Sequence, residues 1–513
     1  MESPAKVARR RAQVPKIGEP TPAKKSSFLQ LAPAAYGRRV GPRRLTTHNQ
    51  LLTLARPPPP DSWPGRQTQL RSFLYRNTMT IRLLARTLTD LLPAVALPAP
   101  GLLLTKSEKP PLPDAEVPPL LPTQAMTPLP IANGAWLATP AQAVAAAEEI
   151  APRLAAQAAQ TDVVGAFPTQ EFSWLHETGL LTAALPLALG GAGLHAPTAT
   201  AALLQLLRHI GRGNLAVGRL LEGHLNAQLL LQLFAQPAQC VRYAADARAG
   251  HLFGVWNTED PAQGVHLEPL PGGRYRLRGA KTFASGAGHI SRPLITGALP
   301  DQQGWQLFVL PADVLPPVLD HSFWRPLGMR ATASFRADLT GLEVGPEDLI
   351  GQPGDYYRQP WFSGGAIRFA AVQLGGAEAV FNETRRFLRG LGRTDDPYQR
   401  QRLGEMALLL ESGSQWLRAA AEHAARPAAL DQTEPTIAYA NLVRTAIEDV
   451  CLRTLQLAER SVGARGLLEP LPFERLHRDL THYLRQPAPD GAQADAGRYV
   501  LSLDQPAHLL WNV

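Results

Sequence analysis

The sequence predicts a mostly helical α+β protein in which helices come first, strands second and a helical bundle last. Three observations predict this. Apolar residues recur with a 3.6-residue period in several stretches between Ala141 and Phe234. Near Gly250 the pattern switches to short alternating runs divided by turn residues. From Phe362 the helical period returns for four long segments, and blocks in that order read as a helical layer, a small β domain and a bundle.

Thr139-Pro140 ahead of Ala141 to Gln160 reads as an N-cap, a proline in the first turn and a long Ala-rich helix. Helical stretches follow at Gln170 to Gly179, Thr198 to Gly211 and Leu215 to Phe234, with a glycine turn at Leu185 to Gly193. The alternating runs are His251 to Trp256, Tyr275 to Arg278, Gln306 to Leu310 and Ala337 to Val344. With Pro271-Gly272-Gly273 as one of their turns, they predict a small antiparallel β domain. The bundle segments are 363–390, 398–426, 433–462 and 472–485. The expected organisation is a helical domain over 139–249, a β domain over 250–350, a four-helix bundle over 360–486 and a tail over 487–513.

Residues 1–125 differ in texture. They hold 20 of the 48 prolines, and neither period persists apart from a short helical stretch around Thr80 to Leu92. Such a segment buries too little apolar surface to offset its ordering entropy. Three readings stay open: a start codon placed too early with the true start at Met126 (the favoured one), a flexible basic tail, or an organellar presequence. This leader carries 19 Lys and Arg against 7 Asp and Glu, whereas the whole chain has a formal net charge of +8. The remainder is therefore mildly acidic, which argues against nucleic-acid binding by the core. No run of 18 uncharged apolar residues is present, so no spanning helix is expected. Two cysteines, Cys240 and Cys451, are too few for a disulfide framework or a thiolate metal site, so no metal is expected. Both read as buried apolar residues, and a reducing cytoplasm fits that usage.

Five segments carry more specific information. They are Glu177-Thr-Gly-Leu-Leu-Thr-Ala-Ala-Leu-Pro186 with Gly190-Gly191-Ala-Gly193, then Trp256-Asn-Thr-Glu259, and then Arg278-Gly-Ala-Lys-Thr-Phe-Ala-Ser-Gly286. Pro326-Leu-Gly-Met-Arg-Ala-Thr-Ala-Ser334 and Pro472-Phe-Glu-Arg-Leu-His-Arg-Asp479 complete the set. In this order they resemble the motifs of the acyl-CoA dehydrogenase family, over roughly Ala141 to Arg485. The resemblance implies an N-terminal helical domain, a central β-barrel-like domain and a C-terminal four-helix bundle. It also implies an FAD-dependent oxidoreductase that works as a homodimer or homotetramer.

A flavin ring is a flat apolar plate with a polar pyrimidine edge, so it needs an aromatic wall and hydrogen-bonding groups along that edge. By resemblance, Phe283 stands where the family places an aromatic wall, and Ser285 where a hydroxyl reaches N5. Trp256, Asn257 and Thr258 would meet the pyrimidine edge. Strand alternation would put Phe283 and Ser285 on one face. Arg460 with Gly463-Ala-Arg-Gly466 resembles the turn that meets the adenosine end of FAD from a neighbouring subunit, although a lone GxxG also reads as a helix C-cap. Arg478 and Asp479 would be a structural ion pair.

The dehydrogenase reaction needs a carboxylate base, and both family positions for it lack one. Counting on from Asp479 gives Pro487, and the residue before Arg368 is Ile367; Asp490 is the nearest substitute in sequence. Two segments lean toward the flavin-dependent monooxygenases of the same fold. These are Thr394-Asp-Asp-Pro-Tyr-Gln-Arg-Gln-Arg-Leu-Gly-Glu405 and Thr481-His-Tyr-Leu-Arg-Gln-Pro487. In that branch a Ser and a His face the flavin at N5 and C4a, which nominates Ser285 and His482. His224 is a further candidate, and His224 and Arg368 are candidate substrate contacts. The aromatic loop Tyr356 to Gly365 reads equally as a substrate mouth or as interdomain packing.

The leading expectation is oxidation of a saturated CH–CH bond in an acyl thioester or related substrate, with an electron acceptor as partner. Oxygen insertion is the alternative, with FMN in place of FAD and a flavin reductase as partner. A flavin-binding protein that has lost catalysis is the third.

Overall fold

A computed structural model describes residues 136–311, 317–426, 432–485 and 488–511, all within the unit Glu116–Val513. The basic leader, the helix expected around Thr80 to Leu92 and the base position Pro487 lie outside the described residues.

The first layer contains α1 (Pro140–Thr161), α2 (Thr169–Glu177), α3 (Thr200–Gly213), α4 (Leu215–Phe234) and α5 (Pro237–Arg248). Thr139 caps α1, its hydroxyl accepting the Gln142 N–H, as Thr-Pro predicts. Asn214 does the same for α4, accepting the Ala216 and Val217 N–H groups. Helix α4 is buried almost all round because it lies between the β domain and the bundle. The sequence patterns did not signal α5, whose Ala, Gln and Arg content carries no strong apolar stripe.

The strands are β1 (Phe253–Trp256), β2 (His266–Pro269), β3 (Tyr275–Arg278), β4 (Ala280–Ala284), β5 (Arg292–Ala298), β6 (Trp305–Val309), β7 (Val318–Asp320), β8 (Phe335–Asp338), β9 (Glu343–Val344) and β10 (Leu349–Ile350). They form a seven-stranded sheet and a three-stranded sheet in the order β4-β8-β7. The expectation of an antiparallel domain needs correction, because β1 and β2 both pair with β5 in parallel. Strand β5 was hidden by its own burial: a continuous apolar run with no polar alternation lies on both inner faces.

A one-turn helix (Trp361–Gly364) leads into α6 (Ala366–Gly390), α7 (Pro397–Ala425), α8 (Thr433–Gly466) and α9 (Pro472–Tyr483), the four expected bundle helices. Helix α6 packs against both α3 and α8. At the α3–α6 crossing Gly375 lies so close to the Arg208 carbonyl that a Cβ there would collide with it, so glycine sets the helix separation. Asp396, from the Asp-Asp-Pro-Tyr segment, caps α7 by accepting the Tyr398 and Gln399 N–H groups. The segment expected as a tail instead carries α10 (Pro489–Leu501), packed on α8. Cys451 is buried as expected, whereas Cys240 is only partly so.

Candidate functional site

Strand β4 supplies the centre of the site. Its first residues are anchored by Lys281, which is fully buried and bonds Glu259, the Thr296 hydroxyl (3.1 Å) and the Asn257 carbonyl (3.4 Å). Burial pushes its ammonium down to about 8, against the opposing pull of the Glu259 carboxylate. At Phe283 the strand breaks: φ is +51°, the register with β8 shifts, and the Ser285 N–H turns back to the Phe283 carbonyl (2.8 Å). The expected alternation of Phe283 and Ser285 therefore does not operate, because a left-handed residue and a bulge lie between regular strand and Ser285. Gly286, at φ +76°, closes the turn and donates to the Thr332 carbonyl (2.8 Å).

Non-glycine residues with left-handed backbone are uncommon and cost free energy. Three of the six in the described residues gather here: Phe283, Met329 (+59°) and Ala333 (+41°). Strain held at one place is a pointer to function. Its result is that Phe283, an aromatic residue that core packing would normally cover, stays 50% exposed. Its ring meets Phe323 and Trp324 edge-on, at 5.2 and 6.2 Å between centroids. Trp324 in turn meets the His482 ring edge-on at 5.6 Å. Phe283, Trp324 and His482, from β4, the loop before the Met329 turn and α9, thus form one continuous wall beside Ser285.

A chain of hydroxyls reaches Ser285. Thr332 Oγ1 donates to the Met329 carbonyl (3.0 Å) and is hydrogen-bonded to the Ser334 hydroxyl (2.8 Å), which is in turn hydrogen-bonded to the Ser285 hydroxyl (2.9 Å). A hydroxyl has one proton and two lone pairs, so Ser285 Oγ keeps capacity for a further partner. Burial holds the His482 imidazole below its ordinary value, so the ring is neutral at pH 7. Neither of its nitrogens bonds a described residue.

Asn257 and Thr258 follow the end of β1. The Asn257 Oδ1 accepts from the Thr296 hydroxyl (2.7 Å) and from Tyr357 Oη (3.0 Å), which leaves its amide N–H₂ uncommitted; Thr258 is exposed. Trp256 needs correction as a cofactor contact. It is buried in the core, and its Nε1 donates to the Ser285 carbonyl (3.0 Å), so it props the turn from behind. His224 is corrected likewise. It is fully enclosed, with Nδ1 accepting the Phe253 N–H (3.0 Å) and Nε2 bonded to the Leu181 carbonyl (2.7 Å), so no ring nitrogen is left for a substrate.

Arg478 and Asp479 are structural, yet the expected pair between them does not form. Arg478 binds Asp162 (2.6 Å) and Glu474 (2.8 Å), while Asp479 accepts the Met329 N–H (2.6 Å) and faces Arg475 at 3.6 Å. These contacts hold the Met329 turn, and with it Thr332 and Ser334, against α9. Arg460, Gly463 and Gly466 sit at the end of α8, where Gly463 leaves helical geometry (φ 60°, ψ −170°); Arg460 and Gly463 are exposed. No described contact joins them to the Phe283 wall. Ile367 is buried and apolar, and Asp490 is exposed in the first turn of a separate helix, so neither supplies a base beside the wall. Trp324, Thr332 and Ser334 were missed as site residues; the Met329 motif contains two of them, but only the fold links their hydroxyls to Ser285.

Comparison with known proteins agrees with this architecture. Residues 367–484 match the family model for the acyl-CoA dehydrogenase C-terminal domain. The chain is 26% identical over 397 residues to a dibenzothiophene monooxygenase of Mycolicibacterium goodii, covering 70% of this chain and 94% of that one. It is 27% identical over 397 residues to a probable FMNH2-dependent monooxygenase of Pseudomonas putida, covering 72% and 97%. The crystal structure of TdsC from Paenibacillus sp. A11-2 with FMN and indole superimposes with a TM-score of 0.63 at 23% identity, covering 72% of this chain and 99% of TdsC. The chain has the acyl-CoA dehydrogenase fold. Within that fold the set suits a flavin: the half-exposed Phe283 ring backed by Trp324, a hydroxyl at Ser285, and the Asn257 amide N–H₂ and Thr258 hydroxyl, which bond no described residue.

Proposed function

We propose that the protein is a flavin-dependent monooxygenase that receives reduced flavin, FMN by preference, from a separate reductase. The observation that carries this reading is the run of ring contacts from the half-exposed Phe283, two residues before Ser285, through Trp324 to His482, with apolar Ile367 at a position where a dehydrogenase can hold its base. The relatives described as monooxygenases support it.

A bound reduced flavin supplies two electrons and activates molecular oxygen. Phe283 and Trp324 provide the apolar wall and limit the approach of water. Ser285, hydrogen-bonded to Ser334, would offer its hydroxyl to an N–H such as the one that a reduced flavin carries at N5. His482, neutral at pH 7, holds a proton on one nitrogen and an open lone pair on the other, so it can donate to oxygen and take a proton back. Assembly as a homodimer or homotetramer through the bundle would bring Arg460 and Gly463 near a partner's cofactor. The unpaired cysteines accord with a cytoplasmic location.

Oxidation of an acyl thioester remains the second reading, favoured by the family match over 367–484. One experiment separates the two. The purified full chain is loaded with FMN or FAD and titrated anaerobically with acyl-CoA esters; bleaching establishes the dehydrogenase. In parallel, a flavin reductase, NADH and ¹⁸O₂ are supplied with a panel of organosulfur and aromatic substrates. Incorporation of one labelled oxygen atom into product establishes the monooxygenase. Failure to take up either flavin overturns both readings, and flavin uptake with neither activity identifies a binding protein.

A further inference from the structure

Beside the wall lies a group of polar side chains, Glu222 and Tyr483 buried and Arg219, Arg368 and Tyr356 half-buried, that the proposed chemistry does not use. Arg219 and Glu222 project from one face of α4 and pair at 2.8 Å, and Asn226 holds the other carboxylate oxygen of Glu222. Arg368 comes from α6, Tyr356 from the loop before it and Tyr483 from the end of α9. Helix α4 packs against both α6 and α9, and the Glu222 carboxylate lies within electrostatic reach of Arg219, Arg368, Tyr356 and Tyr483.

The charges there do not balance. Two guanidiniums face one carboxylate, and that carboxylate is already engaged by Arg219 and Asn226. The Arg368 Nε is shut off from water with no partner among the described residues. The Tyr483 hydroxyl, on a side chain only 2% exposed, has none either. Uncompensated buried charge is costly, and unpaired buried donors add to the cost. Burial raises both tyrosines well above their ordinary range, so each remains a protonated donor. The set is a net single positive charge, with guanidinium and phenol donors facing inward.

Three chain connections place this set next to the wall. Tyr483 follows His482. Leu220, between Arg219 and Glu222, packs against Gly286, the residue after Ser285. Tyr357, after Tyr356, donates to Asn257. We propose that Arg219, Arg368, Tyr356 and Tyr483 together bind the anionic end of the substrate, making that substrate an organic monoanion such as a carboxylate or a sulfinate. This rests on the flavoenzyme reading for its role in turnover. A guanidinium fork matches a planar or pyramidal oxyanion, and one added negative charge neutralises the set. The anchored end lies at the arginines, and the reacting end points to Ser285 and His482.

The test is calorimetric titration of the full chain, with and without FMN, using butanoate, benzoate and benzenesulfinate against butanamide and benzamide. The anions are expected to bind about tenfold or more tightly than the neutral amides. Arg368→Gln should remove most of that preference. Tyr483→Phe, which deletes one oxygen and keeps the packing, should weaken the anions about two- to tenfold and leave the amides unchanged. The tighter of benzoate and benzenesulfinate names the acid class. Equal binding of acids and amides, no binding of either, or unchanged anion affinity in Tyr483→Phe overturns the proposal. Flavin uptake is read separately by absorbance: anion selectivity without it overturns the flavoenzyme reading alone, and uptake without anion selectivity overturns the anion proposal alone.

Discussion

The polar groups behind β1 and those in front of β4 are built from the same residue types, yet they are finished differently. Behind β1, His224 has both ring nitrogens engaged, and Trp256 gives its N–H to the Ser285 carbonyl. In front, neither ring nitrogen of His482 bonds a described residue, the Ser285 hydroxyl bonds Ser334, and Phe283 is half exposed on strained backbone. Satisfied buried polar groups specify a fold. Groups held in place but left open are available to a ligand. The contrast separates a histidine whose ring nitrogens are both engaged from one whose nitrogens bond no described residue, which residue type alone does not.

The largest effect expected from this contrast is on turnover. His482→Ala should lower product formation by about 10²–10⁴-fold, the usual contribution of a positioned acid–base group. Its thermal midpoint should stay near that of the parent, because the ring makes no hydrogen bond to a described residue and its ring contact with Trp324 is edge-on. Steady-state rates with a reductase and calorimetry check both halves. A matched loss of stability would move His482 into the scaffold class and break the contrast.

The opposite outcome is expected at Arg478. It ties α9 to Asp162 and Glu474 and is only 8% exposed. Arg478→Met leaves two carboxylates without their cation, at a cost of about 3–5 kcal/mol. Chemical denaturation reads this directly. Turnover per folded, flavin-loaded molecule should change far less than in His482→Ala.

A third difference is visible in pH. Burial is the main cause that pushes His224 down to about 4 from the ordinary histidine value of 6.5, with the Leu181 carbonyl opposing. The unfolded chain therefore binds a proton between those values that the folded chain refuses. The contribution is fully present above pH 6.5 and is lost as the pH falls toward 4, at about 3 kcal/mol over the window. His224→Gln should flatten the stability profile there more than His482→Ala does, because burial lowers both imidazoles and His224 the further.

The order of helices, strands and bundle was legible because periodicity reports which face each element buries. Helix α5 and strand β5 were not, one for want of an apolar stripe and the other because it is buried on both sides. Phe283, Ser285 and His482 were reachable from motif resemblance. The true roles of Trp256 and His224 were not, since burial and partner choice are decided by chain segments far away in sequence. The hydroxyl chain from Thr332 to Ser285 joins residues 47 positions apart, and no local pattern encodes it.

The smallest expected effect tests why Phe283 is strained. A left-handed non-glycine residue costs about 1–2 kcal/mol, and glycine removes that cost while losing about 0.5–1 kcal/mol of chain entropy. Because the ring is half exposed, little packing is lost with it. Phe283→Gly should therefore raise stability by up to about 1 kcal/mol, while Phe283→Ala, which keeps the strain and loses the ring, should not. Both variants should bind reduced FMN more weakly, since both lose the aromatic wall. If the glycine and alanine variants melt together, the backbone at Phe283 is not strained in solution, and the exposed ring must be held out by its contacts with Phe323 and Trp324 instead.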